Sequence, residues 1–184
     1  MSGISIGAVG AAVIAGLISL IGLIIGKEQK ISEFRQAWIN DLRKCLIDYL
    51  ANINAACDLM RLKKAGREVD EERLVECFRK LNEASHGIAL RVNASETATK
   101  KLLESMEKFE NLAAPGGDLS PANIKVIEKD FLQDSKDLLK FEWRRVKKGE
   151  PIFVFAKIIS LGATLLLSLV LIAFWFLGNE KPVP

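Results

Sequence analysis

The chain has little of what most chemistry is built from. One histidine, one tyrosine and three cysteines stand among 184 residues. There is no GxSxG elbow, no phosphate-cradling glycine loop and no HExxH stretch. His86, between Ser85 and Gly87, lacks the placed partners that general-base or ligand work needs. Cys45, Cys57 and Cys77 show no metal-ligand or redox spacing and read as reduced core thiols on apolar helix faces. The acidic run Asp70-Glu71-Glu72 has no further ligand at a fitting spacing and reads as a capped helix start. The expectation is a non-enzymatic protein with no catalytic, cofactor-binding or metal-binding residues.

Charge is missing where the chain is most apolar. Residues 3–26 carry none, and residues 152–177 carry only Lys157. At 1.5 Å per residue, about 20 apolar residues cross a ~30 Å hydrocarbon core. Both stretches are therefore predicted to be transmembrane helices. The first has no basic n-region and outruns the usual apolar length of a signal peptide, so cleavage is not expected.

Of the 26 basic and 23 acidic residues, all but Lys157, Glu180 and Lys181 lie between Lys27 and Glu150. That near balance gives no concentrated basic face, so direct nucleic-acid binding is not predicted. The basic residues do cluster beside the spans: Lys27, Lys30 and Arg35 follow the first, and Arg144, Arg145, Lys147 and Lys148 precede the second. The positive-inside rule then places the middle of the chain in the cytoplasm and both termini outside the bacterial inner membrane. Lys27, Lys30, Arg144, Arg145, Lys147 and Lys148 are expected to meet anionic lipid head groups.

What is present is helical periodicity. Ile31, Phe34, Trp38, Leu42, Cys45, Tyr49, Ile53, Ala56 and Met60 form one stripe at spacings of three and four. No proline separates this stripe from the first span, so the two can form one helix, with Gly26 the only hinge and Gly66 the stop. The stripe is longer than the second and third helices, so spare apolar surface is expected that could pair with another subunit. Asp70 starts a second helix bearing Leu74, Cys77, Phe78, Leu81, Ala84 and Ile88. Asn93 and Glu96 fit a capping box for a third, with Leu102, Leu103, Met106, Phe109 and Leu112. After a loop at residues 113–118, Ser120-Pro121 opens a fourth with Ile124, Ile127, Phe131, Leu138, Phe141 and Trp143. The fold class is all-α: two transmembrane helices enclosing an antiparallel cytoplasmic bundle of three to four helices. The segments are 3–26, first span; 27–150, bundle; 152–177, second span; 178–184, a short outer tail.

Two features of the spans admit a functional reading beside a plain one. Gly3, Gly7, Ala11, Ala15 and Ser19 recur every fourth residue, continued by Gly22 and Gly26. Small residues let helix backbones approach closely in lipid, so this row either packs on the second span or drives homo-oligomerisation. Ile6, Val13, Leu17, Leu20 and Ile24 are expected to face acyl chains. Lys157 either snorkels to the cytoplasmic surface, leaving residues 158–177 to cross the core, or lines an oligomeric pore favouring anions.

Three stretches carry a resemblance: Lys30-Ile31-Ser32-Glu33-Phe34-Arg35-Gln36-Ala37-Trp38-Ile39, Leu90-Arg91-Val92-Asn93-Ala94, and Leu139-Lys140-Phe141-Glu142-Trp143-Arg144-Arg145-Val146-Lys147-Lys148-Gly149-Glu150. They resemble small bacterial two-transmembrane-helix proteins with a helical cytoplasmic domain. The middle stretch departs from that pattern, with Ala94 where those proteins commonly have proline, which implies a less sharp turn. The resemblance brings no catalytic residues with it. By architecture the chain is also similar to two-span membrane effectors of antiphage systems, including those encoded with retrons. That similarity implies an oligomerising effector which depolarises the inner membrane when a cytoplasmic protein or ribonucleoprotein partner releases it. The alternative is a membrane-anchored scaffold or sensor that recruits a cytoplasmic partner.

Overall fold

Helix stops and caps divide the described residues into five helices. The computed structural model describes residues 6–114, 116–148 and 151–178: α1 (Ile6–Lys64), α2 (Glu71–Ala89), α3 (Thr97–Ala113), α4 (Pro121–Lys148) and α5 (Pro151–Gly178). No strand occurs among the described residues, so the protein is all-α. It divides into two units, Arg35–Lys147, and Met1–Phe34 with Lys148–Pro184.

α1 runs without a break through Gly26. A glycine inside a helix costs only about 1 kcal/mol, and no proline removes a hydrogen bond here. At its end Gly66 takes φ +70, a left-handed conformation free of strain only for glycine. The Arg67 and Gly66 N–H groups donate to the Leu62 and Lys63 carbonyls at 3.1 and 3.0 Å, closing a Schellman motif. Asp70 then accepts from the Arg73 N–H at 2.9 Å and starts α2, where Glu71 and Glu72 meet the positive end of the dipole. Ser120 accepts from the Asn123 N–H at 3.4 Å and starts α4 with Pro121 in its first turn.

The start of α3 differs from the expectation. Asn93 does not cap it; its side chain accepts from the Ser95 N–H and hydroxyl at 3.1 and 2.8 Å, holding a turn. Glu96 is the residue before the helix and makes no side-chain capping bond. The chain continues through a second turn at Ala94 and Ser95 before α3 begins.

In the unit Arg35–Lys147, α1, α2, α3 and α4 share one core. Leu42, Leu46, Tyr49 and Ile53 of α1 meet Leu81 and Ile88 of α2, Leu102, Met106 and Phe109 of α3, and Phe131 and Leu138 of α4. Its centre is an aromatic trio. Tyr49 stacks on Phe131 at 5.2 Å between centroids, and Phe109 meets both rings edge-on at 6.3 and 6.2 Å. Ion pairs at the rim fix antiparallel neighbours: Lys63 with Glu71 at 2.9 Å, Lys108 with Asp130 at 2.9 Å, and Arg145 with Glu96 at 3.1 Å.

The long stripe of α1 is covered inside this bundle, from Ile39 to a half-buried Met60. Between Ile39 and Met60 the stripe is thus largely used by the bundle itself. Phe34 leaves the stripe altogether and is 75% exposed, while Ile39 and Leu46 are buried in places the expected stripe passes over.

Candidate functional site

The apolar end of α1 is the segment with the least cover. From Gly10 onward α1 is, by length and composition, the one helix among the described residues able to cross a membrane. None of its most apolar stretch is buried within the protein. Val154–Val170 of α5 is a shorter apolar run. A helix serving as the core of a globular domain would bury such a stretch, because exposed Leu and Ile forfeit about 25 cal/mol for every Å² left in water.

One line of α1 is half-buried: Gly10, Leu17, Ile21, Ile24 and Glu28, at steps of three, four and seven. On α5 the covered positions are Ala156, Ser160, Ala163 and Leu167. The small-residue row lies elsewhere. Ala11, Ala15, Ser19, Gly22 and Gly26 are all exposed, on the side of α1 turned away from the half-buried line. A β-carbon built on Gly22 or Gly26 meets nothing within 4 Å. Gly3 lies outside the described residues, and of Gly7 only its place in α1 is described. Of the positions expected to face acyl chains, Val13 and Leu20 are exposed, whereas Leu17 and Ile24 are half-buried.

Some of the basic residues beside the spans are held by neighbouring side chains. Arg145 bonds Glu96 and Glu142, both at 3.1 Å, and lies 5.7 Å from the Phe141 ring centre. Lys147 sits over the Trp143 ring at 5.7 Å, and the Arg144 Nε donates to the Lys140 carbonyl at 3.4 Å. Lys27, Lys30 and Lys148 are exposed. Lys157 is exposed on α5 with no hydrogen bond or ion pair among the described residues.

Comparison with known proteins adds nothing to this: no family model, no curated protein and no solved structure matches the chain.

Two polar features of the bundle escaped the sequence pattern. A surface cleft of about 580 Å³ between α1 and α2 is lined by Asp41, Lys44, Asp48, Lys80, Glu83 and Arg91. Its signal lay in the spacing of Asp41, Lys44, Asp48 and Asn52, a charged stripe beside the apolar one. Within the α3–α4 interface, the buried Ser105 hydroxyl donates to the half-buried Asp134 carboxylate. Nothing in a sequence pattern pairs residues so far apart.

His86 is exposed, and all three cysteines are free, Cys57 and Cys77 buried and Cys45 half-buried. Burial pushes the Cys57 thiol pKa up, which disfavours the reactive thiolate. Among the described residues no group of three or more His, Cys, Asp or Glu side chains could hold a metal ion.

Proposed function

We propose that this protein is a non-enzymatic effector of the bacterial inner membrane that assembles through its first helix and depolarises the membrane when a partner releases it. In this reading the apolar end of α1 and all of α5 cross the bilayer. The bundle stands in the cytoplasm on the side of Lys27 and Lys148, and both termini lie outside. The observation that carries it is the open row Ala11, Ala15, Ser19, Gly22 and Gly26, which α5 leaves uncovered. A face of small residues gains from close backbone packing and has little to offer lipid tails, so a second copy is its natural partner. The resemblance to small two-span bacterial proteins and, by architecture, to antiphage effectors supports the same reading.

The test is membrane potential, followed with a potential-sensitive dye after induction of the full chain. Rapid depolarisation is expected, and Ala11→Leu with Ala15→Leu and Gly22→Leu should abolish it while the inserted amount stays constant. Depolarisation that persists in the triple variant would refute assembly through this face.

The charged cleft between α1 and α2 favours a second reading, a membrane-anchored scaffold whose bundle recruits a cytoplasmic protein. Replacing both apolar helices with unrelated spans should then leave activity intact, whereas the effector reading requires its loss.

A further inference from the structure

Beside the small-residue row, the same unit contains a groove between α1 and α5. Ile21, Ile24 and Ile25 of α1 and Lys157, Ser160 and Leu161 of α5 line a space of about 380 Å³. That volume falls within the range of about 300–1,000 Å³ typical of small-molecule sites. The wall is apolar by construction. Thr164, which also lines it, donates its hydroxyl to the Ser160 carbonyl at 2.8 Å, and Ser168 donates in turn to the Thr164 carbonyl at 2.8 Å. Ser160 is 6% exposed, its hydroxyl has no partner among the described residues, and its small side chain leaves the groove open.

Lys157 is the one charged side chain lining this space, and it has no anion among the described residues. An ammonium on an apolar helix wall in lipid is most stable where an anion or the head-group layer meets it. Residues 3–27 and 151–178 contain no carboxylate, and Glu28, the first on α1, one turn beyond Ile24, makes no ion pair with Lys157 among the described residues. Free phosphate matches the cation and leaves the apolar wall unused. An amphiphile with an acyl chain and a phosphate uses both.

We propose that this groove binds one anionic phospholipid, its acyl chain along Ile21, Ile24, Ile25 and Leu161 and its phosphate on the Lys157 ammonium. The inference rests on the membrane reading above. Ordinary snorkelling would leave Lys157 among exchanging head groups, whereas a lined groove retains a single lipid through purification.

The experiment reconstitutes the full chain into phosphatidylcholine vesicles containing a minor share of phosphatidylglycerol. Flotation is followed by mild detergent extraction and native mass spectrometry of the retained lipid. The expected result is one phosphatidylglycerol per chain, favoured over phosphatidylcholine. Lys157→Gln should cut that retention about tenfold, the loss of one charge-assisted contact, and Lys157→Arg should keep it. Ser160→Leu should lower retention of both lipids by filling the groove. Retention unchanged in Lys157→Gln, or lost equally in Lys148→Gln, would overturn the groove and leave the membrane reading standing. Failure of the wild-type chain to float would overturn the membrane reading and the groove together.

Discussion

A β-carbon on Gly87 would stand 2.7 Å from the Cys45 sulfur. Real side chains do not approach so closely, so Gly87 is where α2 comes against α1. The thiol fills the space that any larger residue on α2 would need. The Arg91 guanidinium adds a hydrogen bond to the Gly87 carbonyl at 3.0 Å on the same turn.

This contact sets up a change of sign. Gly87→Ala gains about 0.5–1 kcal/mol of helix propensity but overpacks against Cys45 at a cost of about 1–3 kcal/mol. In the native background the substitution should therefore destabilise. With Cys45→Ala already present the clash is gone, and Gly87→Ala should stabilise by about 0.5–1 kcal/mol. Urea unfolding of the four chains in detergent forms the cycle, and the same sign in both backgrounds would remove the contact from the account.

The aromatic trio predicts a steep loss. Phe109 and Phe131 are 0% and 1% exposed and touch Tyr49 from two sides. Phe109→Ala or Phe131→Ala should each cost about 3–5 kcal/mol, because the rigid surround cannot close the cavity. Tyr49→Phe should cost under about 1 kcal/mol, since it removes only the 3.4 Å bond to the Met106 carbonyl. Denaturant midpoints of the three variants check the order.

Tyr49 also predicts a pH response. Burial raises its phenol well above the ordinary value of about 10, with Glu110 and Cys57 adding to the shift. A pKa raised in the folded state contributes stability that is full below about pH 10 and is lost as pH climbs beyond it. Tyr49 is the only tyrosine, so tyrosinate absorbance reports it alone. The signal should stay absent through pH 10 and rise together with loss of helical circular dichroism. A tyrosinate curve centred near 10 with helicity intact would contradict its burial.

The open row predicts a crosslinking pattern. Ser19→Cys should form dimers through a disulfide in bacterial membranes under mild oxidation, above the background set by Cys45, Cys57 and Cys77. Val13→Cys, exposed on a different side of α1, should stay at that background. Equal yields at both positions would point to random collision.

Much of this protein was legible in its residues wherever the deciding contacts are local. The Gly66 stop, the Asp70 cap and the Ser120-Pro121 start rest on bonds reaching five residues at most, so the chain spells them out. The all-α class follows from apolar spacings of three and four sustained along whole helices. Residues 93–96 show the limit of local reading, since Asn93 could cap a helix or hold a turn, and it holds a turn with Ser95. Choices between distant partners were not legible at all. Phe34 and Ile39 are both apolar and both lie near the stripe of α1, yet one is exposed and the other buried, because only Ile39 falls where the bundle covers the helix. The small-residue row reads equally well as a seat for α5 or as a free face. In the folded chain Ile21 and Ile24 line the groove with α5, and Ala11, Ala15, Ser19, Gly22 and Gly26 are exposed, an arrangement that depends on contacts between helices far apart in sequence.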